Sequence, residues 1–273
     1  MSHCPATVAG VSTPGFFISF EGGDGVGKST QARLLGDWLA ELTGREVLLT
    51  REPGGTDLGK ELRAAVLHGG DMGPRAEALL YATDRAHHVD SLIRPALGRG
   101  AVVITDRYLD SSVAYQAGGR TLGEEEVERL SLWATDGLLP DATVLLDLDP
   151  AVAAERRAAT GEAPDRLERA GDEFHRRTRE AYLRRAGTDP ERWIVVDAAR
   201  PVEDIQAQIR VDVAARLGLT PVVTEAVTEA AAPLPSSGEE HASHQEGTGD
   251  GATEHNPAAT GAESTQTWEG ERA

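Results

Sequence analysis

Short apolar runs recur along the chain, each followed by a longer segment of helical periodicity. Phe16–Glu21 (FFISFE), 46–50 (EVLLT), 101–105 (AVVIT), 142–148 (ATVLLDL) and 193–196 (WIVV) are rich in β-forming residues and lack polar alternation. Such runs are expected for strands buried on both faces of a parallel sheet. Between them lie amphipathic stretches: a helix opening at Lys28 and ending near Thr43-Gly44, one from Asp57 to Gly69-Gly70, and a long one over 74–97 with Pro95 inside it. For the last of these, Leu79, Leu80, Ala86, Val89 and Ile93 give a core stripe. Further helices are expected over 124–136, from Pro150 to about Thr160, over 165–185, and from Pro201 to about Leu217. Strict alternation of strand and helix predicts an α/β fold, a parallel sheet of about five strands flanked by helices.

The first apolar run leads directly into Gly22-Gly23-Asp24-Gly25-Val26-Gly27-Lys28-Ser29, with Thr30 next, and this fits G-x-x-x-x-G-K-[ST] between a strand and a helix. Glycines let backbone N–H groups crowd round phosphate oxygens, and the helix start adds unpaired donors and a positive dipole end. The spacing therefore makes Gly22 to Thr30 a nucleoside-triphosphate cradle, with Lys28 as phosphate counter-charge and the Ser29 hydroxyl as a Mg²⁺ ligand. Only two lysines occur, Lys28 and Lys60, among 27 basic residues. The run 101–105 closes on Asp106, a second candidate for Mg²⁺, followed by Arg107. Arg51 likewise follows the run 46–50. Both arginines thus stand at the carboxyl ends of strands, where open α/β sheets bind ligands.

Composition narrows the function classes. The formal charge of −18 opposes a nucleic-acid-binding surface. Cys4 is the only cysteine, so an intrachain disulfide and a cysteine-based zinc site are excluded. No run of 18 apolar residues exists, and residues 1–15 lack the pattern of a secretory signal, which together predict no membrane association and a cytoplasmic location. Residues 1–14 read as a flexible leader. From Gly218 onward the composition shifts to Ala, Glu, Thr, Gly and Ser; residues 221–273 carry a net −9 and read as a disordered acidic tail. A GTP-dependent switch would need an Asn-Lys-x-Asp guanine motif, and the only asparagine is Asn256, in that tail.

Four more motifs stand in order behind the phosphate loop: TREPGGT at 50–56, LLYATDR at 79–85, DRYLDSSVAYQ at 106–116 and GEAPDRLE at 161–168. With the loop, they make the chain resemble the bacterial thymidylate kinases over about 15–217. The resemblance implies a P-loop nucleotide-kinase fold with a mobile lid at about 156–168, ATP as donor with Mg²⁺, dTMP as acceptor, and a homodimer. It implies that Asp24 binds the acceptor's 3′-OH, that Arg51 and Arg107 clamp its phosphate, and that Tyr81 and Arg85 stack on the thymine and bind its O4 edge. Tyr81 replaces the Phe more usual in the family. Ser112 falls near the base N3, Tyr115 beneath the 2′ carbon, and Gln116 beside the base. Gly25 stands where some relatives carry an arginine, so the lid must supply the charge on the transferred group. Arg166 is the first candidate and Arg157 the second, while Arg156 or Arg157 covers the adenine opposite 197–201. Thr160 and Ala163-Pro164 depart from the lid pattern. Another nucleoside or nucleotide kinase of the same fold, or a degenerate relative, is the competing reading.

Overall fold

The computed structural model describes residues 13–118, 122–159, 161 and 165–219. The expected acidic tail and most of the expected leader lie outside the described residues, as do Thr160 and Ala163-Pro164. Five strands, β1 (Phe16–Glu21), β2 (Val47–Arg51), β3 (Val102–Asp106), β4 (Ala142–Asp147) and β5 (Trp193–Asp197), form one sheet in the order β2-β3-β1-β4-β5. Every pairing is parallel: Phe20 stands opposite Asp106 on one side and Val144 on the other, and Arg51 opposite Asp106. All carboxyl ends therefore meet at one edge, with β1 central and the crossovers diverging on either side of it. That divergence opens the crevice in which such sheets hold ligands.

Side chains leave the strands alternately to two cores. Ile18, Phe20, Val102, Ile104, Val144 and Leu146 pack with Leu35 and Leu39 of α1 (Lys28–Thr43) and with Ile205, Ile209 and Val213 of α9 (Val202–Arg216). On the other face, Phe17 and Val103 meet Val89, Ile93 and Ala96, while Leu145 and Trp193 meet Phe174, Ala181 and Tyr182 of α8 (Asp172–Thr188). The continuous apolar runs follow from this arrangement, because both faces are covered. The exceptions are the edge strands β2 and β5, each with a single neighbour, which leave Leu49 and Val195 each 44% exposed. Gly36 of α1 lies over Leu49, and a Cβ there would come within 3.0 Å of it.

The remaining helices depart from the expected pattern at defined points. α2 (Asp57–His68) is capped by Thr56 Oγ1, which accepts from Gly59 N at 3.0 Å. The stretch expected as one helix over 74–97 is α3 (Pro74–His88), then a wider π turn over Val89–Ile93, then α4 (Arg94–Gly98). Pro95, which has no N–H to give, falls directly after the π turn, where the helical hydrogen-bond pattern changes. Leu79, placed in the core stripe by periodicity, is 55% exposed. After β3, α5 (Leu109–Ser112) widens into another π turn over Val113–Gly118. α6 (Glu124–Ala134) opens with three glutamates, and α7 (Pro150–Ala158) is capped by Asp149, whose Oδ1 accepts from Ala151 N at 2.9 Å. The helix expected from 165 begins only at Asp172, after a 3₁₀ turn at Glu168–Ala170, because Gly171 adopts φ +88° between them. Among the described residues no helix is long and apolar enough to cross a membrane.

Leu39 is fully buried where α1 meets the sheet. Leu39→Ala should lower unfolding free energy by about 2–5 kcal/mol, the range for an unfilled core cavity, read from urea denaturation.

Candidate active site

The loop Gly22–Gly27 joins β1 to α1 with Gly22, Gly25 and Gly27 at φ +131°, +81° and +98°. At Gly22 a Cβ would lie 2.6 Å from Leu146 O, so the loop can lie against β4 only as glycine. Lys28, buried at the first turn of α1, turns its Nζ back to Gly23 O at 2.6 Å and Gly22 O at 3.3 Å. Burial and the neighbouring Arg107 lower its pKa, while Asp106, Asp24 and Glu21 oppose that fall. Ser29 Oγ donates to Asp106 Oδ2 at 2.6 Å, bringing the two candidate metal ligands together at the mouth of the loop. This pair of hard oxygens fits Mg²⁺, which is ordinarily held by one or two protein groups, with water and phosphate completing its shell.

Arg107 stands at the centre. It is a non-glycine residue at φ +72°, fixed by its own N–H donating to Phe20 O at 2.8 Å. Its Nη2 donates to Asp24 Oδ1 and to Tyr115 OH, the latter at 3.0 Å, and Tyr115 OH donates to Asp24 Oδ2 at 3.0 Å. The guanidinium lies 4.9 Å from the Tyr115 ring centre. Burial would raise the Asp24 pKa, but Arg107 and Lys28 overcome it and hold the carboxyl well below the usual carboxylate range. An acid within a phosphate loop is thus matched by a cation that directly follows the neighbouring strand.

Two recesses meet at this pair. One is walled by Gly25, Lys28, Ser29, Asp106, Arg107, Arg156 and Arg157. Exposed Arg51 also reaches this wall. The other is lined by Asp24, Tyr81, Arg85, Ser112, Tyr115 and Gln116, so the residues expected around an acceptor nucleotide share one chamber. Within it Arg85 is buried, with four of its five N–H donors engaged. Its Nε donates to Glu52 Oε2 at 2.8 Å, Nη1 to Ser131 Oγ at 3.1 Å, and Nη2 to Ser112 Oγ at 3.0 Å and Tyr108 O at 3.2 Å. Gln116 Nε2 donates to Glu77 Oε1 at 3.1 Å. Arg63 of α2 lines both recesses and donates to Pro53 O at 3.2 Å. Sequence reasoning passes it over, since an arginine on a helix face carries no motif of its own.

The two lid arginines separate. Arg166 pairs with buried Glu77 at 2.6 Å and donates from Nε to Val66 O at 2.9 Å, and it is not among the residues lining the phosphate recess. A buried carboxylate needs a cation, and Arg166 is placed to meet that need. Arg157 instead donates to Asp24 O at 2.6 Å and crosses the loop at Gly25, where a Cβ would lie 2.7 Å from Arg157 Cγ and from Ala153 O. The absence of a side chain at Gly25 is what makes room for this arginine. Arg156 donates to Ala198 O at 3.0 Å, joining α7 to the loop after β5.

Comparison with known proteins agrees with this geometry. The family model for thymidylate kinase matches residues 20–209. The chain belongs to the thymidylate kinase family. It is 63% identical over 198 residues to the thymidylate kinase of Leifsonia xyli subsp. xyli, covering 72% of this chain and 93% of that one. With the thymidylate kinase of Bifidobacterium longum (strain NCC 2705) it shares 57% over 204 residues, covering 73% and 97%. The crystal structure of thymidylate kinase from Ehrlichia chaffeensis superposes with a TM-score of 0.61 at 29% identity, covering 73% of this chain and 98% of that one.

Beneath Arg107 lies a fully buried carboxyl that motif reading does not single out, Glu21. Burial and the charge of Asp110 push its pKa from an ordinary 4.5 up to about 7, against hydrogen bonds from Ser111 and Tyr182 and the charge of Arg107. The folded chain therefore keeps this proton to higher pH than the unfolded chain, and stability falls as pH rises from about 4.5 to about 7. Melting curves of the native chain and Glu21→Gln should diverge over that window, the native chain losing stability relative to the variant as pH rises.

Proposed function

We propose that this thymidylate kinase family member transfers the γ-phosphoryl group of ATP to the 5′-phosphate of dTMP, giving dTDP and ADP. The observation that carries the reading is the Arg107–Asp24–Tyr115 constellation, set where the phosphate loop meets the chamber of Tyr81, Arg85, Ser112 and Gln116. Triphosphate lies along Gly22–Thr30 with Lys28 released from the Gly22 and Gly23 carbonyls to reach it. Acceptor phosphate sits against Arg107, with Arg51 and Arg63 on the adjoining walls, and Asp24 takes the sugar 3′-OH. Tyr81 stacks on the base while Arg85, held flat by Glu52 and Ser131, presents its edge to O4. Tyr115 closes the floor below the 2′ carbon.

The acceptor phosphate oxygen is already anionic, so no general base is required. That oxygen forms a bond to the γ-phosphorus as the bond to the β,γ-bridging oxygen breaks, and the electron pair leaves with ADP. The protein supplies alignment and charge neutralisation. Mg²⁺, held by Ser29 and Asp106, would supply charge neutralisation on the triphosphate oxygens. Arg157, packed on the loop at Gly25, is the better placed arginine for the transferring group, and Arg166 serves the lid's attachment to α3. Arg156 and the 197–201 loop frame the adenine. A homodimer would cover apolar side chains that stand in water on α3 and α6, Leu79 at 55% and Trp133 at 81% exposure. A cytoplasmic setting suits an enzyme drawing on nucleotide pools.

A coupled ADP-release assay across the nucleoside monophosphates tests the assignment: dTMP should give the highest kcat/KM. Lys28→Ala and Arg107→Ala should each lose on the order of 10³-fold in turnover while keeping the native fold by circular dichroism. Near-native turnover in either variant would defeat the roles assigned to those two side chains. Arg157→Ala should lower kcat by on the order of 10³-fold, and Arg166→Ala far less, in the same assay. The opposite order would return the role to Arg166.

A further inference from the structure

Glu21 ends β1, three residues before Asp24, and its carboxyl faces away from both recesses into the protein. Three donors converge on it. Tyr108 N donates to Oε1 at 2.9 Å, Ser111 Oγ donates to Oε2 at 2.6 Å, and Tyr182 OH donates to Oε2 at 3.0 Å. The two hydroxyls are the same ones that Arg107 reaches, its Nη1 donating to Ser111 Oγ at 3.1 Å and to Tyr182 OH at 3.3 Å. Tyr108, whose amide the carboxyl holds, directly follows Arg107, a residue kept at a positive φ that only surrounding structure can maintain. The carboxyl thus grips Arg107 twice, through its side chain and through its backbone.

We propose that Glu21 is a positioning residue for the acceptor-phosphate contact of Arg107, acting through the hydroxyls of Ser111 and Tyr182 and the amide of Tyr108. The inference rests on the reading that Arg107 binds the acceptor phosphate.

Hydrogen-bond polarity carries the argument. Each hydroxyl has one proton. With Glu21 as acceptor, the Ser111 proton goes to the carboxylate, and the Tyr182 proton goes to the carboxylate or to Ser111 Oγ, 2.8 Å away. In either case both oxygens present lone pairs to the guanidinium, so donation runs one way from Arg107 to Glu21. Asp24 and Tyr115 hold the other terminal nitrogen. The guanidinium is therefore gripped at Nη1 and Nη2 from opposite sides before any ligand arrives. Glutamine cannot replace the acid here. With its amide oxygen toward the hydroxyls, its NH₂ meets the N–H of Tyr108. With the oxygen toward Tyr108, the NH₂ faces the hydroxyls, and their protons turn toward the guanidinium.

The charged and titratable groups around Glu21 come from every neighbouring element. They are Asp110 on α5, Arg107 after β3, Lys28 on α1 and Tyr182 on α8. Burial opposes the ionisation of Asp110, but Arg192 and Arg185 overcome it and hold that group ionised. Asp110 therefore stays a fixed negative neighbour while Glu21 gains or loses its proton. Protonation of Glu21 should loosen the same contact that the glutamine variant does.

The test compares two ligands that differ only in the phosphate. Calorimetric titration of the full chain with dTMP and with thymidine should show Glu21→Gln weakening dTMP about tenfold while thymidine changes less than twofold. Tyr182→Phe, which deletes one relay hydroxyl and keeps the ring, should show the same selectivity at about threefold, and it carries the test if Glu21→Gln does not fold. Equal weakening of both ligands, or unchanged dTMP affinity, would overturn the inference and leave Glu21 a structural group. Arg107→Ala is the control. If it too fails to weaken dTMP selectively over thymidine, the role of Arg107 falls; if it weakens dTMP selectively and Glu21→Gln does not, only the positioning role falls.

Discussion

A carboxylate placed inside a phosphate-binding loop would repel the ligand the loop exists to hold, and this chain resolves the conflict with one ion pair. Asp24 is neutralised by Arg107, which the neighbouring strand supplies directly after the register pair Phe20–Asp106. The pairing decides much else. It brings the end of β3 against the loop, so that Asp106 meets Ser29 at the same time. It also marks the boundary between the two recesses, because the pair lines both of them.

Around that pair, several buried charges are grouped with opposite ones. Arg85 sits with Glu52, which also meets His88; Arg166 sits with Glu77, which also meets Gln116; Arg185 and Arg192 share Asp110. The first two clusters hold Arg85 and Gln116 on the chamber's lining, so those side chains are already oriented and have little freedom left to lose. Pairing buried ions is costly and its net stabilisation modest, but removing one member leaves its partner stranded. Arg85 is thus held by the protein's own acid, Glu52, while it lines the chamber.

Much of this is legible in the sequence, for identifiable reasons. Strands buried on both faces leave continuous apolar runs, and each run marks its strand with ends shifted by one residue at most. The phosphate loop announces itself because only glycine can adopt positive φ against β4. The edge position of β2 is not legible, since Val-Leu-Leu reads the same whether one or two neighbours cover it. Leu79 is misplaced because helical periodicity marks an apolar face without saying whether protein or water lies against it. The π turns at Val89–Ile93 and Val113–Gly118 leave no trace in periodicity. Spacing cannot rank Arg157 against Arg166, because what separates them is Glu77, far away in the chain. Glu21 looks like the polar end of a strand, and only its depth below Arg107 gives it meaning.

The crossing of Arg157 over Gly25 leaves residue 25 closed to any side chain. A Cβ there would meet the stem of the arginine and the Ala153 carbonyl of α7 equally closely, on a backbone already at φ +81°. Trimming the side chain at 157 would lift only the first of those obstacles. The cation at this end of the loop is therefore tied to the helix above it, and moving it onto the loop would require the two backbones to part.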